Sequence, residues 1–298
     1  MKIIRPIAIT DAVVVSSNVP ETDHPPWSAG TSYAKGAKVI LTGTHKRYES
    51  VIDNNLNKNP ATADPGAWLE LGSTNRFKLF DQSVGSQTVQ PGGIDVTLQA
   101  TGRVDALAIL NVNAAGARVV MSDPVEGVLF DEVLNLISDS GVCDWYSWYF
   151  EPIRRKRDLV VQGLPPYYAA TIRVVLDEPA GSAACGVLVL GQSKEIGGTR
   201  WGASVGISDF SKKDKNAFGE YTVAEGEFAK RGRFQLRIDA GQLDDVMETL
   251  TEYRAKPIVF IGAEQYGSTV IYGFFKDLEP VIQGPTYSDC QLEIEGLT

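Results

Sequence analysis

The stretch WSAGTSYAKGAKVILTGTHKRYESVIDNNLNKNPATADPGAWLEL, Trp27 to Leu71, sets the terms on which the rest of the chain is read. Three short runs, Lys38 to Leu41, Arg47 to Ile52 and Ala67 to Leu71, alternate apolar with polar residues between turn formers, the pattern of β-strands. About 45 residues bury little surface, so large side chains must supply most of any core. Those are Trp27, Tyr33, Tyr48 and Trp68. Rings with an apolar body and a polar handle also suit a surface that stacks on sugars. Trp27, Tyr33 and Trp68 therefore read two ways: as a mini-core, or as a sugar platform with Asp53, Asn54 and Asn55 as polar partners.

Working outward, 298 residues exceed one ordinary core. The predicted fold class is mainly β and multidomain. It comprises N-terminal strands and linker (1–26), the small module (27–74), a jelly-roll-like β-sandwich (75–194) and a C-terminal α+β domain with one helix (195–298). A net charge of −9 offers no basic face for nucleic acid. Cys143, Cys185 and Cys290 are odd in number and far apart, which argues against a disulfide framework and for buried thiols in a reducing compartment. The opening MKIIRPIAITDAVVVSS is interrupted by Arg5, Pro6 and Asp11 and does not read as an export signal. No run reaches the roughly 20 apolar residues of a membrane span. His24 and His45 have no partner at metal-ligand spacing and read as isolated surface histidines, so neither metal nor cofactor is expected.

Ile3 to Ile9 and Ala12 to Ser16 are β-rich pieces too short to stand alone, expected to add strands to something downstream. From Asn75 to Gly191, strand-like runs recur at Phe77–Phe80, Ile94–Gln99, Ala106–Val112, Arg118–Met121, Asp158–Gln162, Ala170–Leu176 and Ala184–Leu190. This spacing without helical periods indicates a sandwich or jelly roll, with a galactose-binding-like layout. The last two runs read as a hairpin turning at Pro179, Ala180 and Gly181. Asp144-WYSWYFEPIRRK-Arg157 concentrates aromatics and positive charge. It reads as a packed strand making a subunit contact through Trp145, Trp148, Arg154, Arg155 and Arg157, or as a clamp for a glycan or single strand.

Further on, Phe234–Ile238 reads as a strand, Asp239 as an N-cap, and Leu243, Val246, Met247 and Leu250 fall at helical spacing. Pro257 ends that helix before the strand Ile258–Ile261, and strands follow at Thr269–Phe275 and Cys290–Ile294. Gly206–Tyr221 is a long polar loop carrying Phe210 and Phe218, which reads either as an arm reaching a neighbouring subunit or as a simple disordered surface loop.

Two resemblances carry the functional expectation. Trp27, Tyr33, Gly36 with Val39, Gly43 with Tyr48, Pro60 and Trp68 resemble the pattern of the small chitin- and cellulose-binding modules of carbohydrate-binding families 5 and 12. The chain departs from that pattern after Tyr48, where members that grip polysaccharide carry exposed aromatics and this sequence has Ile52, Asp53 and Asn54. Residues 199–298, through GASVGISDFSKKD, YRAKPIVFIG and LEIEGL, resemble structural proteins of long-tailed bacteriophage tails. That resemblance implies a virion protein of the tail tip or baseplate, assembled in the host cytoplasm. Its implied partners are other tail proteins, itself as trimer or hexamer, and a host surface glycan. No catalytic residue transfers with it. With two histidines near the linker and module, and no Walker loop, an enzyme is not expected. A free-standing glycan-binding protein and a glycan-degrading tail enzyme are the alternatives.

Overall fold

Where the sequence alternates, one face of a strand can be buried, and most of the chain takes that solution. The computed structural model describes residues 1–62, 66–138, 143–152, 154–215 and 218–297. β1 (Lys2–Pro6) and β2 (Val14–Ser17) precede the small module, in which β3 (Lys38–Leu41), β4 (Lys46–Ser50) and β5 (Trp68–Ser73) form one sheet. Next come β6 (Thr88–Gln99), β7 (Ala106–Leu110), β8 (Gly116–Asp123) and β9 (Gly127–Asn135). A short excursion follows, β10 (Ile137–Ser138), α1 (Trp145–Phe150) and β11 (Arg154–Arg155), then β12 (Leu159–Gln162), β13 (Thr171–Cys185) and β14 (Val187–Glu195). The last third holds β15 (Gly198–Thr199), β16 (Ser204–Asp209), β17 (Lys212–Lys215), β18 (Tyr221–Ala224) and β19 (Phe228–Asp239). It closes with α2 (Leu243–Glu252), β20 (Ile258–Ile261), β21 (Val270–Ile282) and β22 (Tyr287–Gly296). The molecule is mainly β, with curled antiparallel sheets and one helix, α2, near the C-terminus.

A five-stranded sheet, β2-β6-β13-β8-β9, packs on a ten-stranded one ordered β12-β7-β14-β1-β20-β21-β22-β19, with β15 and β16 both on β19. Between them Ile94, Val96 and Leu98 of β6 and Ile172, Val174 and Leu176 of β13 meet Leu107, Ile109, Leu188 and Leu190. β7 is buried along its whole length, as in sheets covered on both faces. The reason is that the large sheet curls: Ala108 and Val189 face Val259, Ile261, Val270 and Tyr272 across its concave side. Burial pushes the Tyr272 phenol up to about 12, with the nearby Asp81 acting the same way. A third core sets Val246 and Leu250 of α2 on Phe234, Leu236 and Phe260.

β1 unites these parts. It pairs antiparallel with β14 on one side and β20 on the other, so the sandwich sheet and the C-terminal sheet are continuous across residue 195. Successive side chains point to opposite faces of a strand. Ile3 accordingly enters the α2 core and Ile4 the concave core, both fully buried. The two ends of the curl are tied by an ion pair between Asp158, just before β12, and Lys230 on β19. Both border a cavity of about 170 Å³ together with Leu110, Phe228 and Tyr272.

Several local expectations are corrected. Phe77–Phe80 is not a strand: Lys78–Phe80 is a 3₁₀ turn, with the Phe77 amide donating to the Thr74 carbonyl. Ala170–Leu176 and Ala184–Leu190 are not a hairpin, because β13 pairs β6 and β8 whereas β14 pairs β7 and β1. Pro179–Gly181 instead bulge out of a continuous β13, between the paired residues Glu178 and Ser182. Asp239 does not cap α2; a 3₁₀ turn, Ala240–Gln242, intervenes and its side chain makes no cap bond. Of the three thiols, Cys185 and Cys290 are buried but Cys143 is exposed. The segment 206–221 is not a loop but most of a paired ribbon, apart from residues 216 and 217, which lie outside the described residues.

Candidate functional site

The small module uses its rings internally. β3 and β4 bring Val39 and Tyr48 opposite one another, and Trp68 opens β5 beneath them. Trp68 is 6 % exposed, its indole N–H donates to the Lys58 carbonyl at 2.9 Å, and Tyr33 meets its ring edge-on at 5.4 Å. The Tyr33 hydroxyl accepts from the Ser28 amide at 2.8 Å. Asn55 is buried, its amide donating to Ser50 Oγ and the Ala67 carbonyl while its backbone bridges to Tyr33. Asp53 accepts from the Lys35 amide at 3.0 Å, and Asn54 takes a left-handed backbone, φ 51°. Trp27 and Tyr33 are half-buried, Asp53 and Asn54 exposed. Of the six residues predicted for a sugar platform, then, Trp68 and Asn55 are not at the surface, and none of the module's four rings is exposed. Their positions follow the mini-core reading, in which the Trp68, Tyr33 and Asn55 polar groups find local partners while the buried Trp27 indole nitrogen has none among the described residues.

The module is clamped to the body rather than hung from it. His45, expected to be an isolated surface residue, stacks on Phe77 with ring centroids 3.6 Å apart. Its Nδ1 lies 2.9 Å from Glu21 Oε1 and its Nε2 2.8 Å from Asp11 Oδ1, the second contact outside hydrogen-bond alignment. Glu21 also accepts from Thr74 Oγ1, and Asp23 from the Asn75 amide.

Two other features project from one rim of the curled sheet. The first is the ribbon running up β16 and β17 and back down β18 and β19. Ser204↔Arg233 through Asp209↔Phe228 pair at its base and Lys212↔Ala224 through Lys215↔Tyr221 at its tip. It exposes Ile207, Phe210, Phe218, Tyr221 and Val223, with Phe218 at 92 %. Lys213 and Ser211 hold the Asp209 carboxyl well below the usual carboxylate range, fixing the turn between β16 and β17. The second is the β10–β11 excursion. Trp145 and Trp148 are not a packed strand; they lie in α1, where no residue is buried. Arg155 reaches Glu178 and Asn113, whereas Arg154, Lys156 and Arg157 make no ion pair among the described residues. Arg157 and Phe228 border the same cavity, so both projections spring from where the curl closes.

Gly202-Ala-Ser-Val-Gly206, expected from sequence to lack the spacing of a nucleophile elbow, does spell Gly-x-Ser-x-Gly. The nucleophile elbow needs a strand, a sharp turn and a helix. Here Ser204 instead opens β16, paired to Arg233, so the elbow is not built. Among the described residues no group of three or more His, Cys, Asp or Glu is arranged to hold a metal, and no helix is long and apolar enough to cross a membrane.

Compared with protein-family models, curated proteins and solved structures, the chain finds no match. The functional reading rests on its own sequence and geometry.

Proposed function

We propose that this chain is a structural component of a long-tailed phage tail tip or baseplate, self-associating through the β16–β19 ribbon. The observation that carries the self-association is the ribbon itself. An exposed two-stranded extension with Ile207, Phe210, Tyr221 and Val223 on it gains nothing from the monomer. Apolar side chains on such an edge are covered when copies pair, and closed symmetry covers them all. The tail assignment adds the resemblance of residues 199–298 to phage tail proteins. In this reading Phe210 and Phe218 are subunit contacts and the small module is a decoration fixed by His45. A host-glycan contact on the module would fall to Asp53, Asn54 and the half-buried Trp27 and Tyr33, with no enzymatic step. Light scattering over a range of concentrations tests the reading. The wild-type chain is expected above monomer mass, and Ile207→Glu with Phe210→Glu is expected to return it to monomer with an unchanged melting temperature. A wild-type chain that stays monomeric throughout, or a double variant that stays assembled, would sink it.

A further inference from the structure

The aromatic helix α1 is unlike anything else on the surface. Trp145, Tyr146, Trp148, Tyr149 and Phe150 are each between 65 and 85 % exposed. At 3.6 residues per turn they sweep about 200° of the helix circumference, leaving only the Ser147 side. Six residues form no stable helix alone, yet this one is held by a reciprocal capping box. Asp144 accepts from the Ser147 amide at 2.7 Å, and Ser147 Oγ accepts from the Asp144 amide at 3.2 Å. Tyr146 and Phe150, and Trp145 and Trp148, lean on one another with centroids 4.7 and 6.0 Å apart.

A docking groove covers a stripe of i, i+3 and i+4 residues along one helix face. An apolar arc of about 200°, with Ser147 on the opposite side, is twice as wide as such a stripe and is the amphipathic form that lies at an interface. Composition and charge point to which interface. Two Trp and two Tyr, rather than Leu or Ile, are the residues that favour the headgroup level of a bilayer. Just past the helix, Arg154, Lys156 and Arg157 carry three positive charges with no ion pair among the described residues, and by sequence the acids on the same excursion are Asp139, Asp144 and Glu151. Asp144 is turned onto the helix N-terminus, where the Ser147 bonds hold its carboxyl below the ordinary carboxylate range. A knob of aromatic rings on a basic collar, in a chain of net charge −9, is complementary to an anionic lipid surface.

We infer that α1 with its basic collar is an interfacial membrane anchor, inserting Trp145, Tyr146, Trp148, Tyr149 and Phe150 among the headgroups of an anionic bilayer. This goes beyond the assembly reading and assigns α1 with Arg154, Lys156 and Arg157 to lipid rather than to a second subunit. Flotation of the full chain with vesicles of phosphatidylcholine, with and without phosphatidylglycerol, tests it. The wild-type chain is expected to float with the anionic vesicles at low salt, and more weakly with neutral ones. Trp145→Ala with Trp148→Ala should reduce flotation to background with an unchanged melting temperature, because α1 buries nothing. Each Lys or Arg near an anionic leaflet contributes about fivefold in partition. Arg154→Glu with Lys156→Glu should therefore lower flotation at least tenfold. Ile207→Glu with Phe210→Glu should float like wild type, which separates this inference from the assembly reading. Flotation that ignores the tryptophan substitutions would overturn it. So would the absence of vesicle binding, or a soluble oligomer lost only in the Trp145→Ala, Trp148→Ala variant, which would assign the knob to a second copy.

Discussion

His45 sits at the turn between β3 and β4 in left-handed backbone, φ 54°, which carries its ring out of the module and onto Phe77. Burial alone disfavours the imidazolium, but the close Asp11 and Glu21 carboxylates, the latter hydrogen-bonded to Nδ1, outweigh it and raise the pKa above the ordinary 6.5. A raised folded value means that the joint's contribution is complete below about pH 6.5 and fades as pH rises through the folded value. Lys46, held by Glu70, and Asp81, held by Ser86, border the same hollow. The expected outcome is a lower protection factor in the 18–26 linker, measured against the intrinsic base-catalysed exchange rate at each pH, at alkaline than at mildly acidic pH. His45→Gln should remove that difference and leave protection low throughout. A dependence that persists in the variant would belong to Asp81 and count against this account.

At the scale of elements, much of the β framework was legible because a strand's inward and outward alternation is local. Ile94, Val96 and Leu98 announce β6, and Ile172, Val174 and Leu176 announce β13, without reference to any partner. Which sheet a strand joins is not local. Pro179-Ala-Gly181 has turn chemistry but serves as a bulge, since the switch between sheets falls at Gly186, where a Cβ would collide with the Val84 carbonyl. In α1 the β-propensity of an aromatic run lost to a capping signal, Asp144 three residues ahead of Ser147, that was there to be read. The module's rings were visible as a set, but burial decided their role. The absence of aromatics at Ile52, Asp53 and Asn54 was the clue that they face inward. His45's partners lie far along the chain, so no spacing rule finds them. A further element-scale consequence concerns β14. A Cβ at Gly191 would run into the Arg5 carbonyl of β1, so this strand pair requires glycine there. Gly191→Ala is expected to cost about 1–3 kcal/mol in denaturant unfolding. A neutral substitution would mean that β1 yields easily and is not held as described.

Across the whole molecule, β1 determines whether the sandwich and the C-terminal unit unfold separately or together. Chains of this length divide into domains when each has its own core and few contacts cross the boundary. Here the cores are distinct, yet one strand contributes to two of them, Ile3 to the α2 core and Ile4 to the concave core. The backbone of β1 also completes the hydrogen-bond ladders of β14 and β20. Removing β1 would open both ladders and leave buried backbone groups without partners, so neither sheet can lose it and stay intact. The Asp158–Lys230 pair adds a second tie at the far end of the curl. Differential scanning calorimetry is therefore expected to show one cooperative transition for the sandwich and C-terminal sheets, with calorimetric and van't Hoff enthalpies agreeing for that transition. The small module, joined through His45 and the linker, is free to melt earlier. Ile4→Ala, which truncates a fully buried side chain on the shared strand, should lower that transition as a whole by about 2–5 kcal/mol. Two resolved transitions for the large sheet in the wild type, or an Ile4→Ala variant in which only one half softens, would show that the continuous ladder does not couple the halves.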